Sequence, residues 1–290
     1  MSPRISIDTP AWSAPFVERD KLGPAHISPF EYDRERAWGG ATGEGVVVAV
    51  VDSGIDPSHP AVGGVARSIS IERVGEDFEV NEHADPGDFV GHGTACAGII
   101  RSFAPKAELV SIRVLGPNNR ASGRAFIKAL EWVAAQRIDV ANLSLSSRSD
   151  ELFPIFHDIV DEAYFNGCLL VSAASNTPGE ASYPSLFSSV VSVASHDIPD
   201  PWTYFYNPKP PVEFGAWGVD VPVAWLNGGQ IVASGNSFAA PHIAGLAALV
   251  RSKHPSLTAF ELKSVLSAVA TPSIASTERT VAAAESPHAE

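Results

Sequence analysis

Three short runs of this chain hold residue types that together can perform nucleophilic chemistry. VDSGID supplies an acid at Asp52, GHGTACAG a base at His92, and GNSFAAPHIAG a hydroxyl at Ser237. A serine hydroxyl is a poor nucleophile until a base takes its proton. Histidine suits that task because its ordinary pKa lies near neutrality. The imidazolium that forms needs a buried carboxylate to orient and stabilise it. Acid, base and hydroxyl in the chain order Asp, His, Ser match one of three unrelated orders in which such a triad is built. Taken singly, each has an ordinary explanation: a turn former, a satisfied histidine, a helix N-cap. The weight lies in their joint occurrence, each beside glycines (Gly54, Gly91, Gly93, Gly235) that permit tight turns and close approach of a substrate backbone.

Residues so far apart in sequence need a scaffold that brings them together. GVVVAVVDSGID is an apolar, β-branched run ending in turn residues, which predicts a buried strand with Asp52 at its carboxyl end. ELVSIRVL (108–115), VANLSLSS (140–147), CLLVSAAS (168–175) and SVVSVAS (189–195) predict further strands. Helical spacing marks 122–137, with Phe126, Leu130, Trp132 and Val133 as core candidates. Helices are also expected near Pro154–Phe165 and over 237–254 and 257–270, with a short one near Glu31–Trp38. Strands alternating with helices imply an α/β fold, a three-layer α/β/α arrangement around a central, mostly parallel twisted sheet. Sites in such sheets lie beyond the carboxyl ends of the strands, where Asp52 falls and where Asn176 follows another strand. The expected division is an arm over 1–44, one catalytic domain over 45–271 and a tail over 272–290.

The three runs resemble those of the subtilisin-like serine proteases, and the resemblance covers roughly residues 44–270. It implies a serine endopeptidase that hydrolyses peptide bonds through an acyl-enzyme on Ser237. It also implies that the Asn176 side chain and the Ser237 backbone N–H stabilise the oxyanion. Two departures stand out. Asn236 occupies the position before the nucleophile where the family usually has Thr, and Ser146 stands where Gly is usual. Cys96 lies one helical turn after His92, so its thiol is expected beneath the imidazole; a branch resembling proteinase K shares that cysteine.

The same resemblance places an extended substrate between Asn119–Arg120–Ala121 on one side and Ser144–Leu145–Ser146 on the other. Ala173, Ala174, Ser175 and the loop from Asn176 to Tyr183 are expected to line the specificity pocket. Only Glu180 in that loop carries a charge, which predicts a preference for an uncharged residue before the scissile bond. The helix after His92 leads directly into the next strand, lacking the inserted loop that binds calcium in secreted subtilisins. No His/Cys cluster has zinc spacing, so neither a metal nor another cofactor is expected. Two other readings are weighed: a transpeptidase of peptide maturation, which would need an inserted cap that is not found, and an inactive peptide-binding scaffold, which a complete triad argues against.

Bulk composition bounds the rest. Of 290 residues, 45% are hydrophobic, which suits one large core, and the formal charge of −13 disfavours nucleic acid as a partner. No apolar run is long enough to span a membrane. The expected partner is a peptide or protein substrate, and the oligomeric state stays open. Residues 1–16 lack a basic start followed by an apolar stretch, so with Met1 as the native start a cytoplasmic location follows. Such a location suits a processing protease, for instance one that removes leader peptides. Cys96 and Cys168 form no disulfide framework and are expected as buried free thiols.

Overall fold

A computed structural model describes residues 32–83, 87–177, 179–209 and 211–272. Residues 1–31 and 273–290, with most of the expected arm and nearly all of the expected tail, lie outside the described residues. The chain folds as three layers. Its sheet has nine strands: β1 (Val47–Asp52), β2 (Arg67–Val74), β3 (Asp77–His83), β4 (Glu108–Arg113), β5 (Val140–Leu143), β6 (Leu169–Ala173), β7 (Val191–His196), β8 (Tyr204–Tyr206) and β9 (Phe214–Trp217). Their spatial order is β3-β2-β4-β1-β5-β6-β7-β9-β8. The seven inner strands run parallel, and only the two edge pairs, β2 with β3 and β8 with β9, are antiparallel.

The alternation of side chains along β1 explains the layering. Val48 and Val50 join a core on one face, and Ala49 and Val51 join a second core on the other. Covering the first face are α2 (His92–Phe103), α5 (Asn236–Lys253) and α6 (Ala259–Ala268), and covering the second are α3 (Gly123–Ala135) and α4 (Phe153–Phe165). Ser122 caps α3 by accepting from the Ala125 N–H at 3.1 Å, and Thr258 with Glu261 forms a capping box at α6. The short α1 (Arg34–Trp38) packs Ala37 and Trp38 into the first core, so the segment from Tyr32 onward is part of this body. Trp132 differs from its expected place: it is half-buried, with the Arg67 guanidinium 4.9 Å from its ring centroid.

Strand order reverses at β1: its neighbours are β4 on one side and β5 on the other. The crevice of an open parallel sheet forms at such a point, and Asp52 ends β1 there. A two-stranded hairpin, β10 (Val221–Trp225) and β11 (Gly229–Ala233), stands beside α2. A side chain at Gly91 would collide with the Trp225 ring, 2.7 Å from an ideal Cβ.

The contact between α2 and α5 is equally close. An ideal Cβ on Gly245 would lie 2.9 Å from Phe103 Cβ and 3.0 Å from its ring. Gly245→Ala must therefore push the two helices apart, and we expect it to destabilise the fold by about 1–3 kcal/mol. Urea unfolding checks this; a midpoint unchanged from wild type would contradict it.

Candidate active site

Each chemical side chain stands at the end of a regular element. Asp52 is the last residue of β1 and has 0% exposure. His92 opens α2, and Ser237 lies in the first turn of α5. His92 Nδ1 lies 2.9 Å from both Asp52 carboxylate oxygens, and its Nε2 lies 2.9 Å from Ser237 Oγ. A carboxylate only accepts, so Nδ1 carries the proton and Nε2 is left to accept from the serine hydroxyl. Asp52 also accepts from the Ser53 N–H at 2.7 Å. This arrangement can move the Ser237 proton to the imidazole and hold the resulting cation against a buried carboxylate.

Sequence reasoning missed the group that sets the start of α2. Asp88 Oδ1 accepts from the Val90 and Gly91 N–H groups and from Ser53 Oγ, at 2.8–2.9 Å. Its Oδ2 accepts from the N–H and hydroxyl of Thr94 at 2.9 and 2.7 Å. A carboxylate at a helix N-terminus satisfies free N–H groups and favours the helix dipole. Here it also fixes where His92 leaves the helix. A side chain at Gly93 would strike Gly54 O at 2.0 Å, which explains the glycine after the base. The signal was present in sequence as an acid four residues before the histidine.

Cys96 is fully buried and lies beneath the imidazole, as the helical spacing predicted. Its sulfur is 3.9 Å from His92 Nδ1, 3.6 Å from Asp52 Oδ2 and 3.5 Å from the Ser237 carbonyl oxygen. Pro241 accounts for the last contact. With no N–H, it leaves the carbonyl four residues earlier, that of Ser237, without a helical donor. Cys96 and Ser144 Oγ, at 3.2 Å, take that carbonyl instead and tie the nucleophile's backbone to the base's helix. Among the described residues, Asp52, His92 and Cys96 form a group whose ligand-type atoms all fall within 4.8 Å, but each already bonds within the site. Cys168 is also buried and free, and burial pushes its thiol up to about 12. His242, in the same motif as Ser237, is pushed to about 4 by burial and gives its Nδ1–H to Phe238 O at 2.9 Å. It plays no part in the triad geometry.

Asn236 is turned inward. Its Oδ1 accepts from the Ser195 N–H at 2.9 Å, and its Nδ2 donates to the carbonyls of Ala174 and Ser175 at 3.2 and 3.0 Å. Its backbone N–H donates to Asn176 Oδ1 at 2.9 Å. Holding the carbonyl end of the Asn176 amide in this way leaves Nδ2 as its free donor. A threonine at 236 has one hydroxyl and could not make all three side-chain bonds.

The expected binding residues do converge. His92, Ser144, Leu145, Ser146, Ala173, Ala174, Ser175, Asn176 and Ser237 line one cleft, joined by Leu115, Asn119, Arg148 and Thr177. Asn119, Arg120 and Ala121 line an adjoining groove with Phe126, Leu145 and Ser146. Among the described residues, the main chain of Ser144–Leu145–Ser146 pairs with no other backbone, leaving it open to an extended peptide. The opposite side differs from expectation. Asn119 takes a left-handed φ of 56°, and Gly116 bonds to both Asn119 and Arg120, so this segment is a turn and not an open strand.

Residues 43–285 match the model of the subtilase family. The chain belongs to this family of subtilisin-like serine proteases. It is 30% identical to subtilisin DY of Bacillus licheniformis over 262 residues, covering 86% of this chain and 91% of that protein. It is 31% identical to the minor extracellular protease Epr of Bacillus subtilis (strain 168) over 79% of this chain, yet spans only 36% of that longer protein. A cold-adapted subtilisin-like serine proteinase of known structure superimposes with a TM-score of 0.64 at 30% identity, covering 79% of this chain and 83% of that one. No described helix is long and apolar enough to cross a membrane.

Burial works most strongly against a charged His92, but the Asp52 carboxylate and the Cys96 sulfur together outweigh it, and the imidazole pKa is raised well above 6.5. A raised folded-state pKa means that the protonated pair stabilises the fold fully below the unfolded value. That contribution is lost as pH rises through the higher folded value. An NMR titration should find the His92 midpoint above 6.5. In Asp52→Asn the carboxylate's share of that rise is lost, and the midpoint should fall below that of wild type; an unmoved midpoint would show that Asp52 is not a cause.

The Asn236 bonds give a second expectation. Asn236→Ala should lower kcat by about 10–100-fold with a much smaller change in KM, because a displaced donor acts mainly in the transition state. Asn236→Thr should not restore the rate. Full activity in the threonine variant would show that the inward bonds do not position the site.

Proposed function

We propose that this chain is a serine endopeptidase with Asp52, His92 and Ser237 as its catalytic residues. What supports this most directly is the unbroken line of hydrogen bonds from Asp52 through His92 to Ser237 Oγ. In the proposed cycle Ser237 Oγ attacks the peptide carbonyl carbon as His92 Nε2 takes its proton. The tetrahedral oxyanion is met by Asn176 Nδ2 and the Ser237 N–H, and collapse expels the amine, which receives the proton from His92. Water, activated in turn by His92, then hydrolyses the acyl-enzyme and restores the serine.

The substrate is a peptide or protein segment bound in extended form along Ser144–Ser146, with an uncharged residue preferred before the scissile bond. Ala173 and Ala174 lining the cleft support that preference. Since the base must be neutral to accept a proton, kcat/KM should rise with pH through the elevated His92 value.

Digestion of a peptide library tests the proposal. Wild type should cleave and react at Ser237 with a fluorophosphonate, and Ser237→Ala should do neither. Asn176→Ala should lose about 10²–10³ in kcat, the cost of one oxyanion donor in subtilisin. A folded wild type inert to the fluorophosphonate would overturn the proposal in favour of a peptide-binding scaffold.

A further inference from the structure

Two side chains of opposite charge meet where the walls of the cleft come together. One wall continues from Ser144–Ser146 to Arg148, and the other is the loop that carries Ser175 and Glu180. Ser147 and Tyr183 join the walls by a pair of backbone hydrogen bonds, each 2.8 Å. Just beyond that bridge, Arg148 Nη1 lies 3.0 Å from Glu180 Oε1. Glu180 Oε2 accepts from Ser175 Oγ at 2.8 Å. Arg148 and Ser175 both line the cleft that contains His92 and Ser237, and Arg148 also lines the adjoining groove. Glu180 thus links two lining residues, and its side chain is 28% exposed against 67% for Arg148.

We propose that Arg148 and Glu180 form a charge-neutral clasp that makes the cleft select an uncharged side chain before the scissile bond. The proposal rests on the endopeptidase reading above and gives its preference a physical cause. A basic substrate side chain meets the Arg148 guanidinium and finds Glu180 already paired. An acidic one must compete with Glu180 for Arg148. Either charged side chain loses water on entry without gaining a free partner. The backbone bridge at Ser147–Tyr183 holds the two residues adjacent whether or not their ion pair forms. Removing one partner therefore exposes the other in place. Arg148 and Glu180 act here as specificity-determining residues, outside the proton-transfer chemistry.

Reciprocal variants test the clasp. Peptides identical except for Leu, Lys or Glu before the cleaved bond are compared by kcat/KM with wild type, Arg148→Ala, Glu180→Gln and the double variant. Arg148→Ala should raise the Lys-to-Leu ratio about tenfold, and Glu180→Gln should raise the Glu-to-Leu ratio by about as much. The double variant should return both ratios to within about threefold of wild type, and the single-variant shifts should shrink in about 1 M salt, where screening reaches about 3 Å. Dissociation constants of the same peptides with each variant in a Ser237→Ala background give the ratios without turnover. Ratios within about twofold of wild type in both single variants, or shifts of the same sign, overturn the clasp. If wild type cleaves no peptide, the endopeptidase reading fails by itself, and the binding ratios alone decide the clasp.

Discussion

The site depends on one constraint: the carboxylate of Asp52 has no contact with water and must find every partner inside the protein. A buried, unpartnered carboxylate is costly enough to unfold a marginal domain. Asp52 is supplied by the Ser53 N–H and by the His92 imidazole at the start of α2. Strand β1 and helix α2 are therefore locked in register by the same bonds that orient the base. Asp88 completes the lock, accepting from Ser53 Oγ on one side and from the first turn of α2 on the other. Stability and chemistry use the same bonds at this end of the sheet.

The nucleophile reaches that fixed pair through close packing of α5 on α2. Helix α5 is buried on all sides from Phe238 to Arg251, which fits its position at the centre of the first core. Gly245 lets it approach Phe103, and Gly98 on α2 faces Ala224 of the hairpin with similarly little room. A helix this close could still rotate about its axis. Pro241 limits that freedom indirectly, since the carbonyl it leaves unpaired becomes a third link, from Ser237 to Cys96 and Ser144. A residue that interrupts the helix thus fastens its active end. Asn236, one residue earlier, fastens the same end to Ser195 of β7 and to the loop after β6.

The triad was legible in sequence because its chemistry demands particular residue types, and Asp52, His92 and Ser237 are brought together as their motifs implied. The inner strands β1, β4, β5, β6 and β7 were legible because burial on both faces leaves continuous apolar runs. The hairpin β2–β3 was missed although β2 alternates, since only Ile69 and Ile71 of β2 face the core, and Ser68 and Ser70, buried on the other face, read as exposed polar residues. Hairpin β10–β11 was hidden by Pro222, tolerated there because the strand is short and has one partner. Strand β8 has three residues, too few for any period to register. Among site residues, Asn236 was read from the threonine usual at its position, whereas its amide offers both a donor and an acceptor. Asp88 left only a faint mark, an acid four residues before His92, and Arg148 carried no motif; its role comes from where loops fold back, which local spacing does not encode.

These differences follow a physical division. The triad residues sit on β1, α2 and α5, elements whose positions are set by core packing and by bonds shielded from solvent. The residues that line the rest of the cleft sit mostly on the segments after β4, β5 and β6, where the backbone is free to vary because little of it is buried. Asn119 can turn the segment after β4 away from an open strand without disturbing Asp52, because the turn closes on Gly116 and leaves β4 intact. Ser147 and Tyr183 likewise join two loops through backbone atoms alone, so side chains around that bridge can change without moving the bridge. A charge at Arg148 or Glu180 is screened and partly solvated. It can therefore bias which side chain enters the cleft while leaving the proton transfer at His92, enclosed by Asp52, Cys96 and Phe238, essentially unaltered.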